Sequence, residues 1–209
     1  MKSLESIYNS ILLENQNTNN IDLKLLKSCI NGTYTINDDG SIDVNGNVNL
    51  SRKKLTKIPF NFSKVSGSFW CNKNQLTSLK GAPNNVGGIF SCNNNQLTSL
   101  EGAPNNVGGI FSCNNNQLTS LDGAPNTVGG GFDCTNNQLT TLDGAPNTVG
   151  GGFDCYSNPN LPYSELFKIV DNVKGDILYS SLYTPEDKIR RDRDVKETLK
   201  DDELGSLDV

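Results

Sequence analysis

Five of the six cysteines in this 209-residue chain, Cys71, Cys92, Cys113, Cys134 and Cys155, stand 21 residues apart. Thiols can act as nucleophiles, metal ligands or disulfide partners. None of these fits. A spacing of 21 lacks the C-x2-C pairing of structural zinc sites, and the chain has no His to complete one. The lack of His also excludes a Ser-His-Asp triad, a Cys-His pair and an imidazole pH switch. Thiols at equivalent strand positions would lie about 4.8 Å apart, but parallel side chains in register do not point at one another as a disulfide requires. The ladder therefore reads as small buried thiols, which implies a reducing compartment or a core closed to oxidant. Cys29 reads as a helix core residue.

The remaining candidates for chemistry are charges. Asp133 and Asp154 are also 21 apart, and side by side they would resist joint ionisation unless solvated or matched by a cation. The row does not offer the 6–8 oxygens of a calcium site. Asn37-Asp38-Asp39-Gly40 lacks a closing glutamate and reads as a hairpin turn. Arg52, Lys53, Lys54, Lys57 and Lys64 form a local basic patch, read as a solvated face or a phosphate or acidic-partner contact. With 18 basic and 23 acidic residues, a net charge of −5, no nucleic-acid partner is expected. No catalytic residue, metal or cofactor is expected either, because the glycines recur at repeat positions and match neither G-x-G-x-x-G nor a P-loop.

The elements that position these residues are set by the period. From Gly87 to Val107 runs a unit in which Phe90, Cys92, Leu97, Leu100 and Val107 are the apolar positions; a near copy starts at Gly108, and variants start at Gly129 and Gly150. A divergent unit covers 66–86, and a degenerate one before it keeps the register through Val48, Leu50, Leu55, Ile58 and Val65. About six turns of solenoid are expected over residues 44–161, each with one short strand such as Phe90-Ser91-Cys92, stacking into a parallel β-sheet. Gly102-Ala103-Pro104 marks a compact, non-helical return. Asn74, Asn95, Asn116, Asn137 and Asn158 hold one fixed position, where a side-chain amide can satisfy the backbone of its own turn and of its neighbour. That need accounts for part of a composition with 30 Asn and only 34% hydrophobic residues.

Outward positions of the strand row define a candidate partner-binding face. One row is Trp70, Ser91, Ser112, Asp133 and Asp154; the other includes Ile89 and Ile110. The face grades from aromatic and aliphatic to acidic. Trp70, the sole Trp, is either a partner anchor or packs on the cap hairpin or on Ile89.

Residues 1–43 read as an N-terminal cap. An amphipathic helix runs through Leu4, Ile7, Tyr8, Ile11 and Leu12, a second helix over 21–30 ends at Asn31-Gly32, and Thr33–Ile36 with Ser41–Val44 makes a β-hairpin. Residues 162–183 read as a helical C-terminal cap. Residues 184–209, with 15 charges in 26 positions, read as a charged helix or flexible tail. The opening helix is not a secretory signal, and no run reaches the 18 apolar residues of a membrane span.

The block Phe-x-Cys-x-x-Asn-x-Leu-Thr-Ser-Leu-x-Gly-Ala-Pro-x-x-Val-Gly-Gly resembles the short leucine-rich repeats of many bacteriophage and some bacterial proteins, and is similar to the repeats of secreted bacterial effectors. The resemblance spans about 44–161. It implies an α+β leucine-rich-repeat solenoid that binds a protein partner without catalysis, in the bacterial cytoplasm or a virion. A second expectation is a structural virion or assembly protein whose helical flanks and charged tail contact its neighbours. The ubiquitin-ligase branch of such repeats carries its catalytic Cys in a helical domain beyond the solenoid, and no Cys follows Cys155 here.

Overall fold

The computed structural model describes residues 22–179, together with the backbone of 188–189. The helix expected at Leu4–Leu12, and the segment from Thr184 apart from 188–189, lie outside the described residues. Two-residue strands recur twice in each of the regular turns, so each repeat contributes to two parallel ladders. The Val ladder comprises β3 (Phe62–Val65), β5 (Asn85–Val86), β7 (Asn106–Val107), β9 (Thr127–Val128) and β11 (Thr148–Val149). The Phe ladder comprises β4 (Phe69–Trp70), β6 (Phe90–Ser91), β8 (Phe111–Ser112), β10 (Phe132–Asp133) and β12 (Phe153–Asp154). The repeat pattern in the sequence indicates only the second. An Asn-Val or Thr-Val pair is too short to show a period of two, and its pairing comes from the next turn.

A glycine pair sets the corner between the ladders. At Gly108 a Cβ would collide with the carbonyl oxygen of Gly87 in the preceding turn, so the backbones approach as closely as they do only without a side chain. A third side has no strand of its own, yet its turns still bond in sequence: Gln96 N donates to Leu76 O and Gln117 N to Leu97 O, each at 2.9 Å. The side chains enclosed by the three sides form continuous rows. Phe69, Phe90, Phe111, Phe132 and Phe153 stack with centroids 5.0–5.5 Å apart and planes within 8–13°. The Cys, Leu and Val rows around them are buried. Burying each Phe is worth roughly 2–3 kcal/mol, so a narrow core per turn suffices.

The N-terminal end is closed by a hairpin. Helix α1 (Leu23–Cys29), capped by Asp22 accepting from Leu25 N at 2.9 Å, buries Leu26 and Cys29. It runs directly into β1 (Ile30–Ile36), which pairs antiparallel with β2 (Ile42–Asn49). The hairpin is longer than expected because β2 serves both ladders, its first half pairing with β3 and its second with β4. Gly32 and Gly46 face each other in register at φ near +140°. A Cβ on either would strike the other strand, so this pair lets both strands turn the corner together. The turn at Asn37–Gly40 forms as the sequence indicates, with Gly40 at φ 79° and Asn37 N donating to Ser41 O.

The far end differs from expectation. The solenoid does not stop at Leu161. After a 3₁₀ helix, Tyr163–Lys168, the chain returns 24 residues on, with Val173 bridging Val149 and β13 (Ile177–Leu178) pairing parallel with β12. This makes seven turns. The insertion is polar and irregular in sequence, so it hides the last turn's register. β14 (Lys188–Ile189) then pairs antiparallel with β13. Glu165 closes the turn below it: in earlier turns Leu100 N and Leu121 N donate to Asp122 O and Asp143 O of the following turn, whereas Leu142 N donates to Glu165 Oε2 at 2.8 Å.

Candidate functional site

The Phe ladder holds the expected face in register. Along one row lie Asn49, Trp70, Ser91, Ser112, Asp133, Asp154 and Leu178. Two residues earlier in each turn come Ile89, Ile110, Gly131 and Gly152, whose carbonyls accept from Phe69, Phe90, Phe111 and Phe132 N. Ile89 is 36% and Ile110 45% exposed, and with Leu23 they are the exposed large hydrophobics among the described residues. Trp70 is half-buried. It pairs with Ser91, so Ile89 lies two residues earlier on the adjacent parallel strand.

Two of the polar positions are less available than their row suggests. Ser91 is only 8% exposed, and its Oγ donates to Asn93 Oδ1 at 2.7 Å. Ser112 is half-buried, its Oγ bonded to Asn114 Oδ1 at 3.1 Å. The alternation of the strand places both outward, but a hydroxyl this short folds back onto the following loop. The apolar end therefore offers more contact surface than the serines between.

At the acidic end Asp133 is well satisfied, accepting from Thr135 Oγ1 at 2.8 Å and Thr135 N at 3.1 Å. Asp154, half-buried between Asp133 and Leu178, has its carboxyl pushed up to about 6, first by burial and then by the charge of Asp133. Such a pair can take up a proton or meet a cationic group. Among the described residues no group of three or more His, Cys, Asp or Glu could hold a metal ion. The cysteine row beneath the face is unpaired and buried, and burial holds the thiols of Cys71, Cys92, Cys113 and Cys134 well above their ordinary range, with Cys155 at about 12. Protonated, inaccessible thiols are neither nucleophiles nor ligands.

The face is held by the asparagine row. Asn95 Oδ1 accepts from Leu76 N in the preceding turn at 3.0 Å, while its Nδ2 donates to Cys71 O at 3.1 Å and Cys92 O at 2.8 Å. Asn116, Asn137 and Asn158 repeat the arrangement. Each amide ties two turns together where the chain leaves the strand, which fixes the spacing of the exposed rows.

A concavity on the outer side of the Val ladder has no signature in the sequence. It has a volume of about 520 Å³ and is lined by Thr33, Tyr34, Asp43, Lys64, Ser66 and Asn85, among others, with Lys64 and Asp43 paired at 3.3 Å. It arises where β2 runs between β1 and β3, so no local pattern announces it.

These features define a class: a parallel β-solenoid repeat protein of about 21 residues per turn, with a partly apolar sheet face. No described protein family matches the chain, and neither a curated protein nor a solved structure does. Among the described residues no helix is long and apolar enough to cross a membrane.

Proposed function

We propose that the protein is a non-catalytic binding module of the leucine-rich-repeat type, presenting the Phe-ladder face to a protein partner in the bacteriophage or bacterial setting that its repeats resemble. The observation that carries this reading is the pair Ile89 and Ile110, exposed on neighbouring turns of a ladder whose phenylalanines are buried, with the half-buried Trp70 one strand from Ile89. Exposed aliphatics beside a half-buried Trp are the makings of an anchor. The asparagine row and stacked Phe core hold the face rigid, so little entropy is lost on docking. The asparagine row also supports the leucine-rich-repeat kinship, since that repeat carries an Asn at this place. The second ladder departs from the one-strand turn expected of it.

The test compares wild type, Trp70→Ala and Ile89→Asp/Ile110→Asp as immobilised baits in lysate of the native source, with bound proteins quantified by mass spectrometry. A partner lost at least fivefold with each variant is expected, matching about 1 kcal/mol for an anchor. A partner retained by both variants but lost on deleting residues 190–209 would shift the assignment to an assembly protein that uses its flank.

A further inference from the structure

The N-terminal hairpin covers the first rung of the solenoid but leaves its own outer edge open. Along β2 the even-numbered residues bond toward the following rung. Ile42 N donates to Asn61 O at 2.8 Å and Val48 N to Ser68 O at 2.9 Å, while Val44 O accepts from Ser66 N and Gly46 O from Gly67 N. The odd-numbered residues of β2 therefore face β1, and the register sets them against Asn31, Thr33 and Thr35. The N–H and C=O groups of Gly32 and Tyr34 are left pointing away from the solenoid. Among the described residues no strand pairs with that edge. Gly32, whose surface is all backbone, is exposed.

Open edges are ordinarily blocked by Lys, Pro or a bulge. β1 reads Ile-Asn-Gly-Thr-Tyr-Thr-Ile, with no charge, no Pro and an unbroken register against β2. At the other end of the molecule the edge strand β14 begins with Lys188. The open end is also incompletely covered. Ile30, Tyr34 and Ile36 are only half-buried against the core, and Leu23 of α1 is 39% exposed.

We propose that this edge is a self-association site, at which β1 of a second copy pairs antiparallel with β1 and joins two solenoids end to end. The corner selects the occupant. β1 and β2 both pass from one wall to the next through a glycine at φ near +140°, a conformation open essentially to glycine alone. A third strand must do the same to pair along both arms, so a straight strand of an unrelated protein reaches one arm only. Residues 1–21 contain no glycine, whereas the second copy's β1 carries one at the corner itself. Setting Gly32 opposite Gly32 makes the two corners coincide on a two-fold axis. In that register Tyr34 faces Ile30 and Thr33 faces Asn31, each twice by symmetry, so apolar meets apolar and polar meets polar. The outward groups of Gly32 and Tyr34 meet those of Gly32 and Ile30, which makes these the hydrogen-bonded pairs. The antiparallel order also carries the hairpin turn, with Asp38, toward the last turn of the second copy's α1, with Lys27. Both side chains are exposed, and neither enters an ion pair among the described residues.

Sedimentation velocity of the full chain over a range of concentrations tests this. A dimer that forms with rising concentration and survives ~1 M salt is expected, because backbone pairing and apolar contact resist screening. Tyr34→Pro removes the outward N–H and no bond to β2, and should be monomeric where the wild type is a dimer. Tyr34→Ala keeps that N–H and should still dimerise. Circular dichroism checks that both are folded. Engineered thiols report the register, since the native cysteines are buried. Asn31→Cys mixed with Thr33→Cys should form a disulfide-linked dimer under mild oxidation, and Thr33→Cys alone should not. A wild type monomeric at every concentration overturns the proposal, whatever else takes the edge. So does a folded Tyr34→Pro that dimerises, a Tyr34→Ala as monomeric as Tyr34→Pro, or a Thr33→Cys that cross-links to itself, each of which places the contact or its register elsewhere.

Discussion

Replacing Asn116 by Ala removes one rung of the asparagine row in the middle of the solenoid. The wild-type amide is 8% exposed; its Oδ1 accepts from Leu97 N at 3.0 Å, and its Nδ2 donates to Cys113 O at 2.9 Å, Cys92 O at 3.2 Å and Asn114 O at 3.4 Å. The carbonyls are not all left bare. Cys92 O still receives Asn95 Nδ2, and Cys113 O still receives Asn137 Nδ2. Leu97 N–H loses this partner at a fully buried residue. One orphaned buried donor, with weakened bonds at two carbonyls, corresponds to about 2–3 kcal/mol. Urea unfolding followed by circular dichroism should show a lower midpoint with an unchanged slope, since the loss is in stability and not in buried surface. Asn74→Ala provides the control. Its amide is half-buried and serves Lys53 N and Leu55 N of the first turn, where water can substitute, so a smaller loss is expected. Asn116→Asp keeps the acceptor for Leu97 but aims a carboxylate oxygen at carbonyls, and should be at least as destabilising as Ala at neutral pH. A loss below ~0.3 kcal/mol for Asn116→Ala, or equal losses at 116 and 74, would show that the row does not hold the turns together as argued.

Two further outcomes follow from the titratable groups. Asp154 has a folded-state carboxyl near 6 against an ordinary 3.8, so folding is favoured while it is protonated, and its contribution is lost as pH rises from about 4 through 6. The shift is nominally ~3 kcal/mol, which solvent at this half-exposed site reduces to about 1 kcal/mol; Asp154→Asn should therefore raise stability by that amount at pH 8 and leave it unchanged at pH 4 in denaturant titrations, and equal effects at both pH values would rule out the carboxyl as the cause. The cysteine row should not react with a thiol-specific reagent at pH 8 in the native protein, whereas in denaturant all six thiols should react; fast labelling of Cys92 or Cys113 without denaturant would contradict a closed core.

The parts of this molecule legible in the sequence are those the repeat writes more than once. Phe90, Cys92, Leu97, Leu100 and Val107 recur at one period, and a side chain buried in one turn is buried in the next because each turn's environment is the turn beside it. The asparagine row was legible for the same reason. The outward row was read correctly in register but less well in exposure, since Ser91 folds onto Asn93, a contact that alternation along a strand does not encode. The Val ladder is not legible because Val107 is followed by two glycines and lacks the alternate apolar residue that Cys92 gives Phe90.

What lay beyond the sequence is what occurs once, at the ends. The seventh turn arrives 24 residues after the sixth because the 3₁₀ helix has been inserted, and the residue that makes this tolerable is Glu165, whose carboxylate accepts from Leu142 N where earlier turns use the next turn's carbonyl. Lys168, 2.8 Å from both Glu165 and Asp143, keeps that carboxylate ionised and in place, which is why it lies below the usual range despite burial. At the other end the paired Gly32 and Gly46 do comparable work, letting one hairpin cover two ladders. Both devices satisfy backbone groups that the repeat itself would leave unpaired at an end. Between them the interior turns are free to vary at the surface, and there the change from Lys80 to Glu101 at one repeat position and the exposed pair Ile89 and Ile110 occur on turns whose cores are nearly identical. Surface identity in this protein is thus set independently of the fold that holds it, as the proposed binding role requires.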